Sequence, residues 1–434
     1  MIWPLGTLLA SRIENGPVAM RRGKAIDFAT FRSDVARVAA ELKNCGRGAL
    51  ACQDSYNFIV GFFGLLHAGS RIVVPPHAKV AATESSGGAF DRLIDDAAIE
   101  GGGRGAATLD PLDPTWLAFD FYTSGSSGAP KRVTKSLAMF DAEIEVLEHL
   151  WGPSAGPVFA TVTHQHVYGL TFKLLWAIAA GRPFTTVTYP LWEDMLPELT
   201  AGSVIISSPA HLGRLEGIKA LPIAQRPQRI FSAGATLPPE AARQAAFVFG
   251  TRPTEIFGST ETGAIATRRG GEEELWQPLP GTRVRSDEQG RLLVLSPHIG
   301  PDWVTTSDLV DDLDGRFRFR GRSDRIVKVE GKRVSLVDVE QALERLDEVQ
   351  SAFAGLLPGE VERLVAVIVP SELGRLTLIK IGKFRFGRLL RQALAVTEEP
   401  ANIPRLWRYV DELPVSSLGK RRNADILSLF REDA

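Results

Sequence analysis

Apolar and polar positions along this chain switch repeatedly between two periods. From Thr30 to Leu42, Phe31, Val35, Val38, Ala39 and Leu42 fall on one helical face. A short apolar run from Ala49 to Cys52 follows and predicts a strand. Phe58 to Ala68 is nearly all apolar and ends at Gly69, which predicts a buried helix. Arg71 to Val74 reads as a strand stopped by Pro75 and Pro76. The Gly-, Ala- and Ser-rich stretch from Ala81 to Thr108 is expected to run over the surface. Trp116 to Phe121 is again an apolar, strand-like run. Leu137 to Leu150 carries Phe140, Ile144, Leu147 and Leu150 at helical spacing. Strands are predicted at Val158–Val162, Phe184–Thr188, Val204–Ser207, Arg229–Ser232 and Thr254–Phe257, with helices at Phe172–Ala180 and Pro238–Phe247. Strand alternating with helix is the pattern of an α/β layer built on a parallel sheet.

Beyond residue 290 the pattern changes. Arg291–Ser296 and Arg316–Arg320 are β-rich with no helix between them, as in a small antiparallel element closing a large domain. After Arg325 a short amphipathic helix (Val339, Leu343, Leu346), a strand (Arg363–Val369) and a helix (Phe386–Leu394) predict a small α+β unit. The expected division is a domain over residues 1–323 and a second over 324–434. Composition changes this picture little. A chain of 434 residues is too long for one ordinary core. With 50 basic and 51 acidic residues the net charge is −1, so no overall field argues for nucleic acid or an anionic membrane. No apolar run has the length of a membrane span, and Met1–Ser11 lacks the basic start of a signal peptide. Cys45 and Cys52, the two cysteines, fit plain core residues in a reducing compartment, and a cytoplasmic location is expected.

The chemistry concentrates first at Tyr122–Arg132, Tyr-Thr-Ser-Gly-Ser-Ser-Gly-Ala-Pro-Lys-Arg. Four hydroxyls (Thr123, Ser124, Ser126, Ser127), two glycines (Gly125, Gly128) and Lys131 follow an apolar strand. Glycines let backbone N–H groups crowd an anion, hydroxyls add donors, and the lysine adds a point charge. That composition suits a polyphosphate, but it lacks Walker A spacing. The stretch resembles the phosphate-binding loop of the adenylate-forming superfamily of acyl-CoA synthetases, peptide-synthetase adenylation domains and luciferases.

The resemblance extends in order to residue 422. Phe257-Gly258-Ser259-Thr260-Glu261 is similar to the segment whose aromatic residue stacks on adenine, whose threonine contacts the α-phosphate and whose glutamate holds magnesium. The family usually has Tyr at position 257. Ser232-Ala233-Gly234-Ala235-Thr236 resembles the segment on the other face of the adenine. Asp308 matches the ribose-binding aspartate, Arg322 a ribose or phosphate contact, and Asp324 the hinge between the domains. Lys328 and Gly331 match the loop that faces the site during thioester formation. Lys420, in Leu413–Arg422, matches the catalytic lysine of a mobile loop. By this likeness the fold is α/β, with a large N-terminal domain of parallel β/α subdomains plus a small β element, and a small mobile α+β C-terminal domain. ATP and Mg2+ are the implied cofactors.

Thr163-His164-Gln165-His166-Val167-Tyr168-Gly169 is similar to the aromatic motif of aryl and acyl CoA ligases. His166 and Tyr168 would then line the acid pocket, with His166 also at the catalytic centre. Gly234, Gly258, Ala264 and Ile265 would complete the wall. The closer likeness is to short bacterial ligases of aryl-polyene and xanthomonadin-type pigment clusters, carried by Pro130–Leu137 and His164–Gly169. It implies a hydroxybenzoate-type acid passed to the phosphopantetheine thiol of an acyl carrier protein. Free CoA, an amine acceptor, and a nucleotide-binding protein without turnover remain the alternatives. Ser127 stands for the usual Thr, and Arg132 for the usual Gly.

Overall fold

A computed structural model describes residues 2–75, 90–101, 105–124, 130–152, 156–329, 332–357, 363–414 and 423–430. The chain divides into two compact units. The first comprises Met1–Arg285, Leu293–Thr305 and Asp312–Arg318; the second comprises Ser286–Leu292, Thr306–Asp311 and Phe319–Ala434.

In the first unit a hairpin, β1 (Pro17–Arg21) and β2 (Lys24–Asp27), precedes an amphipathic helix, Phe28–Glu41. Strands β3 (Arg47–Leu50), β4 (Arg71–Val74), β5 (Arg92–Ile94), β6 (Phe119–Ser124) and β7 (Pro130–Lys135) form a sheet of order β5-β3-β4-β6-β7. All its pairings are parallel except β6 with β7. β5 lies inside the stretch read as surface loop, and Asp96–Glu100 beside it is helical. Three residues of strand were too short a signal amid Gly and Ala. Between β3 and β4, the helix Ser55–His67 is buried through nearly its whole length. Asp54 caps it, accepting from the Tyr56 and Asn57 amides at 2.9 and 3.1 Å. Phe119 of β6 stacks on Phe62 of this helix, with centroids 4.8 Å apart. Asp120, between two core phenylalanines, is buried and satisfied by Arg71 (3.0 Å) and the Thr134 hydroxyl (2.7 Å), which ties β4, β6 and β7 together.

Strands β8 (Val158–Ala160), β9 (Phe184–Thr185), β10 (Val204–Ser207), β11 (Arg229–Ala233), β12 (Thr254–Ser259), β13 (Gly263–Arg269) and β14 (Gln277–Pro278) join the first hairpin in a second sheet. Among the described residues its order is β14-β13-β12-β11-β10-β8-β9-β1-β2, parallel from β12 to β1. β12 turns back antiparallel into β13. The apolar helix foreseen from Phe172 begins earlier and is irregular: Val167–Gly169 is α-helical, Leu170–Leu175 is π-helical and Trp176–Ala179 is α-helical again. Periodicity alone does not distinguish a wider turn where every face is apolar.

A four-stranded sheet follows, β15 (Arg283–Ser286), β16 (Arg291–Leu295), β17 (Val304–Leu313) and β18 (Arg316–Arg322), in that order. The second unit carries the hairpin β19 (Ile326–Val329) and β20 (Lys332–Ser335), then a helix, Leu336–Glu344. A three-stranded sheet, β21 (Val349–Leu357), β22 (Arg363–Pro370) and β23 (Leu406–Tyr409), completes it. The helix Glu372–Leu394, kinked at Gly382, connects β22 to β23. Val339, Leu343, Ile368, Phe386 and Leu390 meet in its core. Among the described residues no helix is long and apolar enough to cross a membrane. Cys45 and Cys52 are free thiols, and burial pushes the Cys52 thiol pKa up.

Candidate active site

In the first unit several predicted residues lie at or just after the C-terminal ends of strands of the two sheets, where open α/β sheets bind ligands. Thr123 and Ser124 end β6, paired in register with Lys131 and Pro130 of β7. They are therefore strand residues at the base of the loop predicted to bind phosphate. Gly125, Ser126, Ser127 and Gly128 lie outside the described residues. Arg132 is an exposed position on β7 opposite Tyr122, so the departure from Gly falls on a paired strand.

β11 ends at Ala233, and Gly234, Ala235 and Thr236 follow as an exposed turn. Gly234 has φ +100°, which a side chain would strain. The turn is held from below: the Leu237 amide donates to Glu255 at 2.8 Å, and Arg268 grips the same carboxylate at 2.8 and 3.0 Å. Arg268 in turn lies 4.3 Å over the Trp276 ring. Phe257 meets Trp276 (5.0 Å) and Phe317 (5.2 Å) edge to face.

After Phe257, β12 and β13 are joined by a register shift, a bulge at Phe257/Gly258. Gly258 is obligatory there, since a Cβ would lie 2.0 Å from the Gly263 carbonyl oxygen. Thr260 and Glu261, both half-buried, occupy the reversal that follows. Ser259 and Thr262 lock it: the Ser259 amide donates to the Thr262 hydroxyl at 3.0 Å and the Thr262 amide to the Ser259 hydroxyl at 3.2 Å. Gly263 takes φ +66°. Ala264 and Ile265 continue into β13, both buried.

Two charged residues that the sequence reading did not single out grip this turn from within. Lys135, the last residue of β7, donates to the Glu261 carbonyl at 3.3 Å. Glu143, on the helix Leu137–Trp151, accepts from the Ala264 amide at 2.8 Å. Both side chains are buried, each at 2 % exposure. Desolvation lowers the lysine pKa and raises that of the glutamate, and each opposes the other's shift by its charge. His298 lies buried nearby, accepting or donating at Nδ1 to the Ser296 hydroxyl over 2.8 Å. Desolvation, then the Lys135 charge, lowers its pKa to about 4. A signal for Glu143 existed: it shares a helical face with Phe140, Ile144 and Leu147, and a carboxylate on an apolar face requires a buried partner.

The motif Thr163–Gly169 is divided. His164 is a core residue, its Nδ1 3.0 Å from the Ser55 hydroxyl and its Nε2 3.0 Å from the Cys52 carbonyl. Desolvation takes its pKa to about 3. Lys173, on the π-helical turn, donates to the same Ser55 hydroxyl at 2.6 Å and to the Val187 carbonyl at 2.8 Å; burial lowers its pKa to about 7. His166 and Tyr168 are half-buried, and the Tyr168 ring packs on Phe172 at 4.9 Å. Gly169 is required by close approach, its Cβ position lying 2.1 Å from the Thr163 carbonyl oxygen. An open cavity of about 400 Å³ is lined by Thr163 and Gln165 of this motif, with Cys52, Asp54, Thr186 and Thr188; His166 and Tyr168 are not in its lining.

In the second unit Asp308 of β17 is buried, and Arg322 at the end of β18 donates to it at 3.3 Å. The Asp308 amide is held by the Thr306 hydroxyl at 3.1 Å. Asp324 lies in the 3-10 turn Ser323–Arg325, and Lys328 in β19 opposite Arg333. Gly331 and Lys420 fall outside the described residues. The structure thus brings Thr260, Glu261, Ala264 and Ile265 together in one unit, and Asp308 and Arg322 together in the other.

A model of the family described as AMP-binding enzyme matches residues 76–298, just over half of the chain. The 4-coumarate–CoA ligase of Cereibacter sphaeroides is 26% identical over 307 residues, covering 70% of this chain and 69% of that protein. ATP-bound MatB from Rhodopseudomonas palustris shares the fold with a TM-score of 0.78 at 18% identity, over 100% of this chain and 99% of the other. A benzoate CoA ligase from Burkholderia xenovorans gives 0.76 at 20% identity, over 98% and 99%. At these identities the solved structures speak for the fold alone. Family match, relative and motif order coincide, and the chain belongs to the AMP-binding enzyme family.

Proposed function

We propose that this AMP-forming acid–thiol ligase activates an aryl acid of the hydroxybenzoate type and passes it to the phosphopantetheine thiol of an acyl carrier protein. A carboxylate oxygen attacks the α-phosphorus of ATP, the bond to the bridging oxygen breaks, and pyrophosphate leaves with that electron pair. The acid is ionised at neutral pH, so no general base is needed. The thiol then gives up its proton to solvent and its sulfur attacks the acyl carbon of the adenylate, the acyl–phosphate bond breaks, and AMP leaves with that electron pair. Phe257 stacks on the adenine, with Gly234, Ala235 and Thr236 on its other side. The loop from Thr123 to Gly128 and Lys131 holds the β- and γ-phosphates. Asp308 binds the ribose, and Arg322 contacts the ribose or a phosphate. Lys420 stabilises charge on the α-phosphate in the first step; rotation about Asp324 then exchanges it for the loop carrying Lys328. Thr260 contacts the α-phosphate, while Glu261 presents only carboxylate oxygens, donors that fit a hard cation. These oxygens would hold Mg2+, which when bound supplies neutralisation of the phosphate charge.

The observation that carries this reading is the clamped turn. Backbone held by Lys135 and Glu143 on either side of Thr262 fixes the turn that carries Thr260 and Glu261 at a strand's C-terminal end, which supports a preorganised phosphate contact. A second reading, transfer to free CoA, is favoured by the CoA ligases among the similar proteins. Acid-dependent ATP–pyrophosphate exchange with benzoates, cinnamates and fatty acids tests the first step. Exchange with 3- or 4-hydroxybenzoate supports the aryl assignment. Exchange with fatty acids alone discards it but keeps the chemistry. Silence across the panel with ATP still bound points to a nucleotide-binding protein without turnover. Thioester assays with a carrier protein and with CoA then decide the acceptor.

A further inference from the structure

The outer face of the helix Glu372–Leu394 carries both exposed apolar side chains and cations. Its inner face is fixed, with Phe386, Leu390 and Leu394 buried in the core of the second unit and Phe386 packed on Tyr409 at 5.3 Å. Its outer face leaves Leu376 63 %, Ile379 82 % and Phe384 79 % exposed. Interleaved with these are Arg375, Lys380, Lys383, Arg385, Arg388 and Arg391, all exposed, and Glu372 is the helix's single acidic residue. Among the described residues no ion pair engages any of these six cations. In a chain of net charge −1 such a local excess of positive charge stands apart from the rest.

We infer that this face is the docking surface for the acceptor, an acidic helical carrier protein bearing a phosphopantetheine arm. The inference rests on the carrier-protein reading above and names the surface that the reading lacks. Unpaired arginines and lysines around exposed Ile and Phe match a partner whose acidic side chains ring an apolar patch: the charges steer the encounter and the apolar residues hold it. A lipid surface is the less suited occupant. It favours a helix with its apolar residues segregated on one face. Here Lys380 and Lys383 continue the line of Leu376 and Ile379 at helical spacing, and the non-helical Gly382 (φ 79°, ψ 160°) interrupts any longer stripe. A small acceptor such as CoA needs no such face.

The test uses the full chain and two exposed-surface variants, Arg385→Glu/Arg388→Glu and Ile379→Ser/Phe384→Ser. Three readouts are taken: acid-dependent ATP–pyrophosphate exchange, acyl transfer to a phosphopantetheinylated acidic acyl carrier protein, and acyl transfer to pantetheine. The expected result is a KM for the carrier protein raised at least about tenfold in both variants. Exchange and transfer to pantetheine stay at wild-type levels, and the wild-type rate with carrier protein falls as salt is added. An unchanged carrier KM in the charge-reversal variant, with wild-type transfer robust, overturns the docking surface and leaves the acceptor assignment standing. Transfer to CoA and pantetheine but none to carrier protein, by an enzyme active in exchange, overturns both. Binding of the wild type to vesicles of anionic phospholipid, lost in the same variants while carrier KM is unchanged, reassigns the face to membrane.

Discussion

The turn that presents Thr260 and Glu261 depends on single atoms. Removing the cation in Lys135→Met strands the buried Glu143 carboxylate and frees the Glu261 carbonyl. Leaving one member of a buried charge pair alone costs about 3–5 kcal/mol. Urea titration should therefore show a large loss in Lys135→Met and a smaller one in the double variant with Glu143→Leu. Exchange should stay impaired in both, chiefly as a higher KM for Mg·ATP. Equal stability of single and double variants would refute the coupling. Gly258→Ala is expected to abolish exchange in a chain that still folds, because its methyl would sit 2.0 Å from a carbonyl oxygen and open the bulge; measurable exchange would mean the bulge relaxes at little cost. At this scale the sequence was informative where chemistry is conspicuous. Thr260, Glu261 and Asp308 stand in recognisable runs. Lys135 does not, since a lysine in a basic strand looks like surface, and Glu143 is marked only by its place on an apolar helical face; the β13 amide it accepts from lies 121 positions away.

At the scale of elements, two histidines are buried at junctions of the first unit. His164 links the helix Ser55–His67 to the segment before the π turn, and His298 stands under the clamped turn. Both have pKa values lowered from 6.5, to about 3 and about 4. As pH falls through 6.5 the unfolded imidazoles take protons that the folded ones refuse. The unfolded state then binds more protons, so the stability these groups contribute is present above pH 6.5 and is lost toward pH 4 and below. Each contributes a slope of about 1.4 kcal/mol per pH unit. Urea midpoints measured between pH 7 and 5 should fall, and His298→Asn should flatten that fall by about one proton's worth. An unchanged slope would place the neutral imidazole elsewhere. The π turn was invisible beforehand because Leu170–Leu175 is buried on all sides, and an all-apolar run does not report its own pitch. β12, by contrast, extends the predicted strand at Thr254, and β10 coincides with its predicted bounds.

For the whole molecule, the proposal assigns the two units alternating duties. Lys420→Ala should abolish ATP–pyrophosphate exchange yet spare thioester formation from a supplied acyl adenylate, since the lysine serves the first step alone. Equal loss of both half-reactions would remove the alternation. The large-scale α/β character was legible from the alternation of strand and helix. The order of strands was not. Hydrophobic pattern marks a strand but not its neighbour, and nothing local says that β1 lies beside β9.

That adjacency has a consequence for how the chain is made. Met20 pairs with Thr185, made about 165 residues later, which at ordinary ribosomal speeds is roughly 8–30 seconds. Through that interval β1, with its buried Val18 and Ala19, has only β2 beside it and one open edge. The nascent chain therefore carries an adhesive strand through a third of its synthesis, and yield of soluble protein should respond to trigger-type chaperones and slow growth temperatures more than to changes in the finished fold.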